Sequence, residues 1–159
     1  MKYVFNLLCS SFMALIFAWI AKFYFVYGGD YLFRAATCGI LIVLFFQLFI
    51  TSRDRDLIES KLRPYLILNL LCLLIVYTGM MFKVSHIFVS QTEKDLLLDF
   101  IGIPAIAIAL IFTFSNINRL MNATRTMKEL ILKQVIFPWM MFGFSFLLYA
   151  VYSVILVRV

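Results

Sequence analysis

Charge is scarce in this sequence, and the residues that build most active sites are scarcer still. Of 159 residues 14% are charged and 65% hydrophobic, whereas a soluble domain carries about a quarter charged residues. A soluble globular protein is excluded. There is one histidine against eight acidic residues, with no His/Asp/Glu cluster along the chain, so no metal or nucleophile–base signature is present. The three cysteines, Cys9, Cys38 and Cys72, lie in different apolar runs and share no short spacing with one another or with His86. Neither zinc nor a redox pair is suggested, and they read as small apolar packing residues. No cofactor is expected. Two of the three prolines, Pro64 and Pro138, stand in or beside the first turns of helices, where a missing amide proton is harmless.

What the sequence does have is long apolar runs. Five of them, Tyr3–Tyr27, Tyr31–Thr51, Tyr65–Phe82, Leu96–Phe114 and Val135–Val157, lie near or above the roughly 18–25 residues with which a helix crosses a bilayer. The expected fold is all-α: a single polytopic bundle over residues 1–159, with spans at 3–27, 31–51, 65–82, 96–114 and 135–157 and connectors at 52–64 and 115–134. Four spans with one re-entrant run is the alternative. No room remains for a second domain. The first run could pass for a signal peptide, but its apolar stretch is too long, and it is expected to stay as the first span.

The basic residues set the orientation. Arg53, Arg55, Lys61 and Arg63 fall in one connector, Arg119, Arg125, Lys128 and Lys133 in another, and Lys2 precedes the first run. Lys22, Arg34, Lys83, Lys94 and Arg158 belong to the other side. By the positive-inside rule the N-terminus and both basic connectors are cytoplasmic and the C-terminus is outside, in a membrane read as a bacterial inner membrane. The net charge of +6 is therefore a topology signal, and no nucleic-acid partner is expected.

Ionisable groups at the edges of the spans gather on the outer side: Lys22, Asp30, Arg34, Lys83, His86, Asp95 and Asp99. Each is costly in hydrocarbon unless paired, hydrated or able to snorkel. Two readings are open, interfacial snorkelling with inter-helix ion pairs and a proton- or ligand-linked site centred on Lys83 and His86, which are three apart. Asp99 is followed by Gly102 and Pro104, and Pro104 leaves the Phe100 carbonyl without its helical partner, so a kink is expected there. A carboxylate in the first turn also suits the positive end of the helix dipole. The inner halves of all five runs lack charged residues.

Residues 116–133 read as a polar continuation of the fourth helix or a short interfacial one. Ile117, Leu120, Met121, Met127 and Ile131 approximate one stripe, while Arg119, Arg125 and Lys128 form a charged face, with Glu129 at helical spacing from Arg125 and Lys133. This segment suits anionic headgroups or a partner. The two outer hairpins also invite comparison as a parallel duplication, with Ala18–Lys22 laid over Gly79–Lys83.

The stretch Gly79–His86 resembles the G-x-x-F-K-x-x-H stretch that closes the first transmembrane helix of the gliding-motility L family, inner-membrane motor components coupled to type IX secretion in Bacteroidetes. Lys83 and His86 match the family's lysine and histidine. The family's second-helix glutamate has no counterpart, since Gly102–Phe114 contains no acid, its long cytoplasmic tail is missing, and a fifth helix is added. The resemblance implies a shared origin for one hairpin.

Three function classes follow. A non-enzymatic accessory or structural subunit, packed against a membrane-protein partner or a second copy, fits the scarcity of internal polar groups and the small loops. A small oligomeric transporter or channel would use the outer charged cluster, but a pore needs a polar strip through the full membrane depth. A lipid-modifying enzyme would need a constellation that the sequence lacks. The expectation is the first.

Overall fold

The computed structural model describes residues 2–24, 28–53, 62–85 and 101–158. All regular structure among them is helical: α1 (Lys2–Phe23), α2 (Gly29–Arg53), α3 (Arg63–Ser85), α4 (Ile103–Ser115), α5 (Ile117–Met121), α6 (Arg125–Ile131) and α7 (Phe137–Arg158). A π-helical turn, Leu132–Ile136, joins α6 to α7 without a break. Among the described residues four helices are long and apolar enough to cross a membrane: Tyr3–Phe23, Gly29–Arg53, Arg63–Phe82 and Arg125–Tyr152. That is the pattern of an integral membrane protein. The fourth expected run is described as the 13-residue α4, and its beginning at 96–100 lies outside the described residues.

α1 packs on α2, α2 on α3 and α3 on α4, while α7 returns to lie against both α3 and α1. The α1–α7 seam is aromatic. Phe5 meets Phe137 at 5.3 Å between ring centroids, Phe12 meets Phe137 and Phe144 at 6.2 Å each, and Trp19 and Phe23 meet Tyr152 at 6.1 and 5.7 Å. Partners advance together along both helices, so α1 and α7 run parallel. Phe5, Phe12 and Trp19 recur at the heptad interval that holds two helices in register.

In a bilayer the lipid tails are as apolar as leucine, so helices associate through close packing and internal hydrogen bonds. Small residues mark the closest approaches. A Cβ at Gly39 on α2 would stand 3.1 Å from Ser11 Oγ on α1. On α4, Ala105 and Ala109, a small-x-x-x-small pair, are the buried residues of that helix. The α1–α2 turn depends on Gly28, whose φ of +90° is left-handed and costs glycine nothing.

Two expectations need correction. The last membrane helix begins at Arg125, where the sequence reading starts the span at Val135; residues 116–133 are largely helical, as expected, but from Arg125 onward they run into the last helix and do not continue the fourth. Consequently Pro138 sits well inside a helix. The π turn immediately before it widens the backbone where the proline cannot donate to the preceding turn, a usual way for a helix to accommodate such a break.

Candidate functional site

Thr51, Ser52 and Arg63, which flank the first basic connector, share one end of the bundle with Lys133 and Gln134 of the second and with the N-terminal turn of α1. Thr51 Oγ1 at the end of α2 lies 3.5 Å from Gln134 Oε1, Arg63 Nε donates to the Thr51 carbonyl at 3.2 Å, and Lys133 Nζ stands 5.7 Å from the Phe5 ring centre. Arg63 also donates to the Ser52 carbonyl.

At the opposite end, two of the seven expected ionisable residues are brought together. Lys22, in the last turn of α1, pairs with Asp30 in the first turn of α2. Each charge complements the dipole of its own helix end. Lys22 is only 6% exposed, and its ammonium also faces the rings of Phe33 and Tyr152 at 5.8 and 5.7 Å. A carboxylate and two ring faces thus replace water around a buried cation. Arg34 lies over Tyr31 at 5.8 Å. His86, Asp95 and Asp99 lie outside the described residues, as does the side chain of Lys83. Gly102 is buried and Pro104 exposed, and residues 101 and 102 have π-helical backbone.

Of the basic segment, Arg125 Nε and Lys133 Nζ each lie 3.9 Å from the Glu129 carboxylate, at the expected i,i+4 spacing. Arg119 donates to Asn116 Oδ1 at 3.3 Å, and Lys128 is exposed. The expected stripe turns inward only in part, with Leu120 half-buried against the same cluster that its later members enter. Met127 and Ile131 enter a buried cluster with Leu62, Tyr65, Leu66 and Val135, whereas Ile117 and Met121 stay exposed.

This end also contains a partly open cavity of about 300 Å³, bounded by the first turns of α1, the last turns of α2 and the α6–π segment. Gln47, Gln134, Glu129, Lys133, Thr124 and Thr126 supply its polar lining, and Val4, Phe5, Ile50, Met127 and Leu130 its apolar walls. Gln47 is 3% exposed, and its Oε1 has no hydrogen-bond partner among the described residues. A second recess, of about 370 Å³, runs between α3, α4 and α7 and is mainly apolar, with Ile106, Leu110, Ile136 and Met140 along it.

Charge scarcity drew attention to the ionisable residues and away from neutral polar ones, yet these fill key interior positions. Thr37, Thr78 and Thr113 return their hydroxyls to carbonyls four residues back at 2.7–2.8 Å, the local bond that lets a hydroxyl lie at membrane depth. Asn69 and Tyr77 link helices instead: Trp139 Nε1 donates to Asn69 Oδ1 at 3.2 Å, and the Tyr77 hydroxyl donates to the Pro138 carbonyl at 3.0 Å. A signal was available. On α2 the buried positions include Phe33, Ala36, Thr37, Ile40, Val43, Leu44, Gln47 and Thr51, one helical stripe that carries the polar residues of the helix interior. Among the described residues no three His, Cys, Asp or Glu side chains gather as a metal site, and Cys9, Cys38 and Cys72 are free thiols. No protein-family model, curated protein or solved structure matches this chain.

Proposed function

We propose that this chain is a non-enzymatic accessory subunit of a larger complex in a bacterial inner membrane, with its N-terminus and basic connectors in the cytoplasm. The observation that carries the reading is the state of α4. Its buried residues are Ala105 and Ala109, while Ile103, Ile108, Leu110, Ile111 and Phe114 all point outward. It packs chiefly on α3 and leaves the recess toward α7 unfilled. A helix whose fully buried residues are two alanines, with Ile106, Phe112 and Thr113 half-buried beside them, next to an apolar recess at membrane depth, suits a neighbouring transmembrane helix that completes the layer. The basic connectors fit the cytoplasmic side.

Photo-crosslinking in native membranes tests this. A photoreactive residue at Ile111 is expected to give a discrete adduct with another membrane protein, and one at Phe45, on the outward face of α2, to give none. Adducts absent from both, together with a monodisperse chain purified without a companion, would overturn the proposal.

The transporter reading has less support. Between the Lys22–Asp30 pair and the basic end lies a packed interior of Leu15, Ala18, Ile40, Leu44, Leu73 and Val76, whereas conduction needs a polar path. Lys83→Ala and Asp99→Asn are expected to leave ion flux in proteoliposomes at the protein-free level, as is the wild type. Wild-type flux that either substitution abolishes would favour the transporter.

A further inference from the structure

The cavity at the basic end has the chemistry of a head-group site. Gln47 is almost wholly buried, lines the cavity, and has a carboxamide oxygen with no partner among the described residues. A buried acceptor without a donor is costly, and the terminal torsion of glutamine is broad, so a modest rotation turns that oxygen toward an occupant with an N–H group. Glu129 adds a carboxylate whose two cationic neighbours stand at 3.9 Å, beyond hydrogen-bond distance. It therefore keeps lone pairs for a further donor. Lys133 and the Thr126 hydroxyl offer donors to a phosphate.

We propose that this cavity binds the phosphoethanolamine head of an amine-bearing zwitterionic phospholipid. The primary ammonium meets Gln47 and Glu129, and the phosphate meets Lys133 and Thr126. Three exclusions lead to this class. An anionic head group is repelled by Glu129, even where its hydroxyls, as in phosphatidylglycerol, can donate to Gln47. A choline head has a positive charge but no N–H. A freely soluble amine phosphate gains nothing from Phe5, Ile50 and Leu130, which wall the cavity at the end of three membrane-length helices. The volume of about 300 Å³ lies at the low end for small-molecule sites, enough for a head group with its chains passing outward along the bundle. The inference rests on the membrane placement of the bundle and is independent of any partner protein.

Native mass spectrometry of the full chain in detergent, with equimolar palmitoyl-oleoyl phosphatidylethanolamine, phosphatidylcholine and phosphatidylglycerol, tests it. The ethanolamine lipid is expected to be retained about fivefold over the choline lipid, the scale of one hydrogen bond. Gln47→Leu should remove that preference without removing lipid retention. Glu129→Gln, at an exposed position, should reduce it in parallel. Equal retention of the ethanolamine and choline lipids, or a preference for phosphatidylglycerol, overturns the proposal, as does a preference untouched by both substitutions. Displacement of the lipid by equimolar O-phosphoethanolamine would overturn the lipid assignment. Flotation of the chain with phosphatidylcholine vesicles checks membrane placement separately, so flotation without head-group preference sinks the cavity proposal alone.

Discussion

Trp139 on α7 donates its indole N–H to Asn69 Oδ1 on α3 across 3.2 Å, while the Asn69 amide donates to the Tyr65 carbonyl one turn earlier at 3.1 Å. The second bond fixes the orientation that makes the first possible. Asn69 is 1% exposed, so neither lipid nor water readily replaces Trp139 as its partner. Asn69→Leu is expected to lower stability by about 1–2 kcal/mol, measured by denaturant titration in mixed micelles. With Trp139→Phe added, the loss should fall short of the sum of the single losses. Strict additivity would show that the bond contributes nothing.

The Lys22–Asp30 pair is asymmetric, and so should be the response to its removal. The Lys22 side chain is 5% exposed and that of Asp30 53%. Lys22→Met leaves a carboxylate with access to water, whereas Asp30→Asn withdraws a negative charge from a buried ammonium. Asp30→Asn is therefore expected to destabilise by about 1–2 kcal/mol, a value kept small by the half-exposed partner and the ring contacts. Lys22→Met should cost less, and the double substitution should resemble Lys22→Met. The reverse ranking in thermal unfolding would contradict this account.

The aromatic seam predicts a contrast between two phenylalanines of similar hydrophobicity. Phe12 touches both Phe137 and Phe144, whereas Phe45 is 64% exposed. Phe12→Ala should cost about 2 kcal/mol and loosen α7, visible as faster hydrogen exchange around residues 137–144. Phe45→Ala should leave both readouts close to wild type. Equal effects would mean that the α1–α7 contact does not govern the position of α7.

At Gly39 the size of the replacement decides the outcome. An added methyl group would approach Ser11 Oγ to 3.1 Å, and that hydroxyl can rotate away, so Gly39→Ala is expected to remain within about 1 kcal/mol of wild type, helped by alanine's higher helix propensity. Gly39→Leu must separate α1 from α2 and should destabilise by more than about 2 kcal/mol. Cysteine cross-linking across this contact would report the separation, and unchanged efficiency in Gly39→Leu would refute the close approach.

Legibility followed the kind of signal each feature left in the chain. The apolar runs at 3–27, 31–51 and 65–82 correspond to α1, α2 and α3 to within a few residues, because hydrophobic length is a local property. Residues 116–133 were legible as helical, but their continuity with the last membrane helix was hidden, because the charges of residues 125–134 separate them in hydropathy from the apolar run that follows. In the structure Met127 and Ile131 turn inward while Arg125, Lys128 and Glu129 stay outside, so one helix passes from a surface-type pattern to a membrane-type one. The Lys22–Asp30 pair was half legible: the sequence places both residues near one turn, and the fold buries the lysine and adds Phe33 and Tyr152. The cavity around Gln47 left no sequence signal as a unit, since its walls come from Val4, Ile50 and Leu130 on separate helices.

By itself the sequence determined that this is an all-helical membrane protein, with its basic residues concentrated in two connectors and its charges kept out of the span interiors. Those properties depend on transfer between water and lipid, which each segment undergoes according to its own composition. The tertiary structure decided which face of each helix turns inward. In lipid an outward leucine and an inward one are nearly equivalent, so hydrophobicity cannot choose between them. Contacts such as Ser11 with Gly39, Tyr77 with Pro138 and Trp139 with Asn69 make that choice, because close packing and satisfied hydrogen bonds exist only once the helices are side by side.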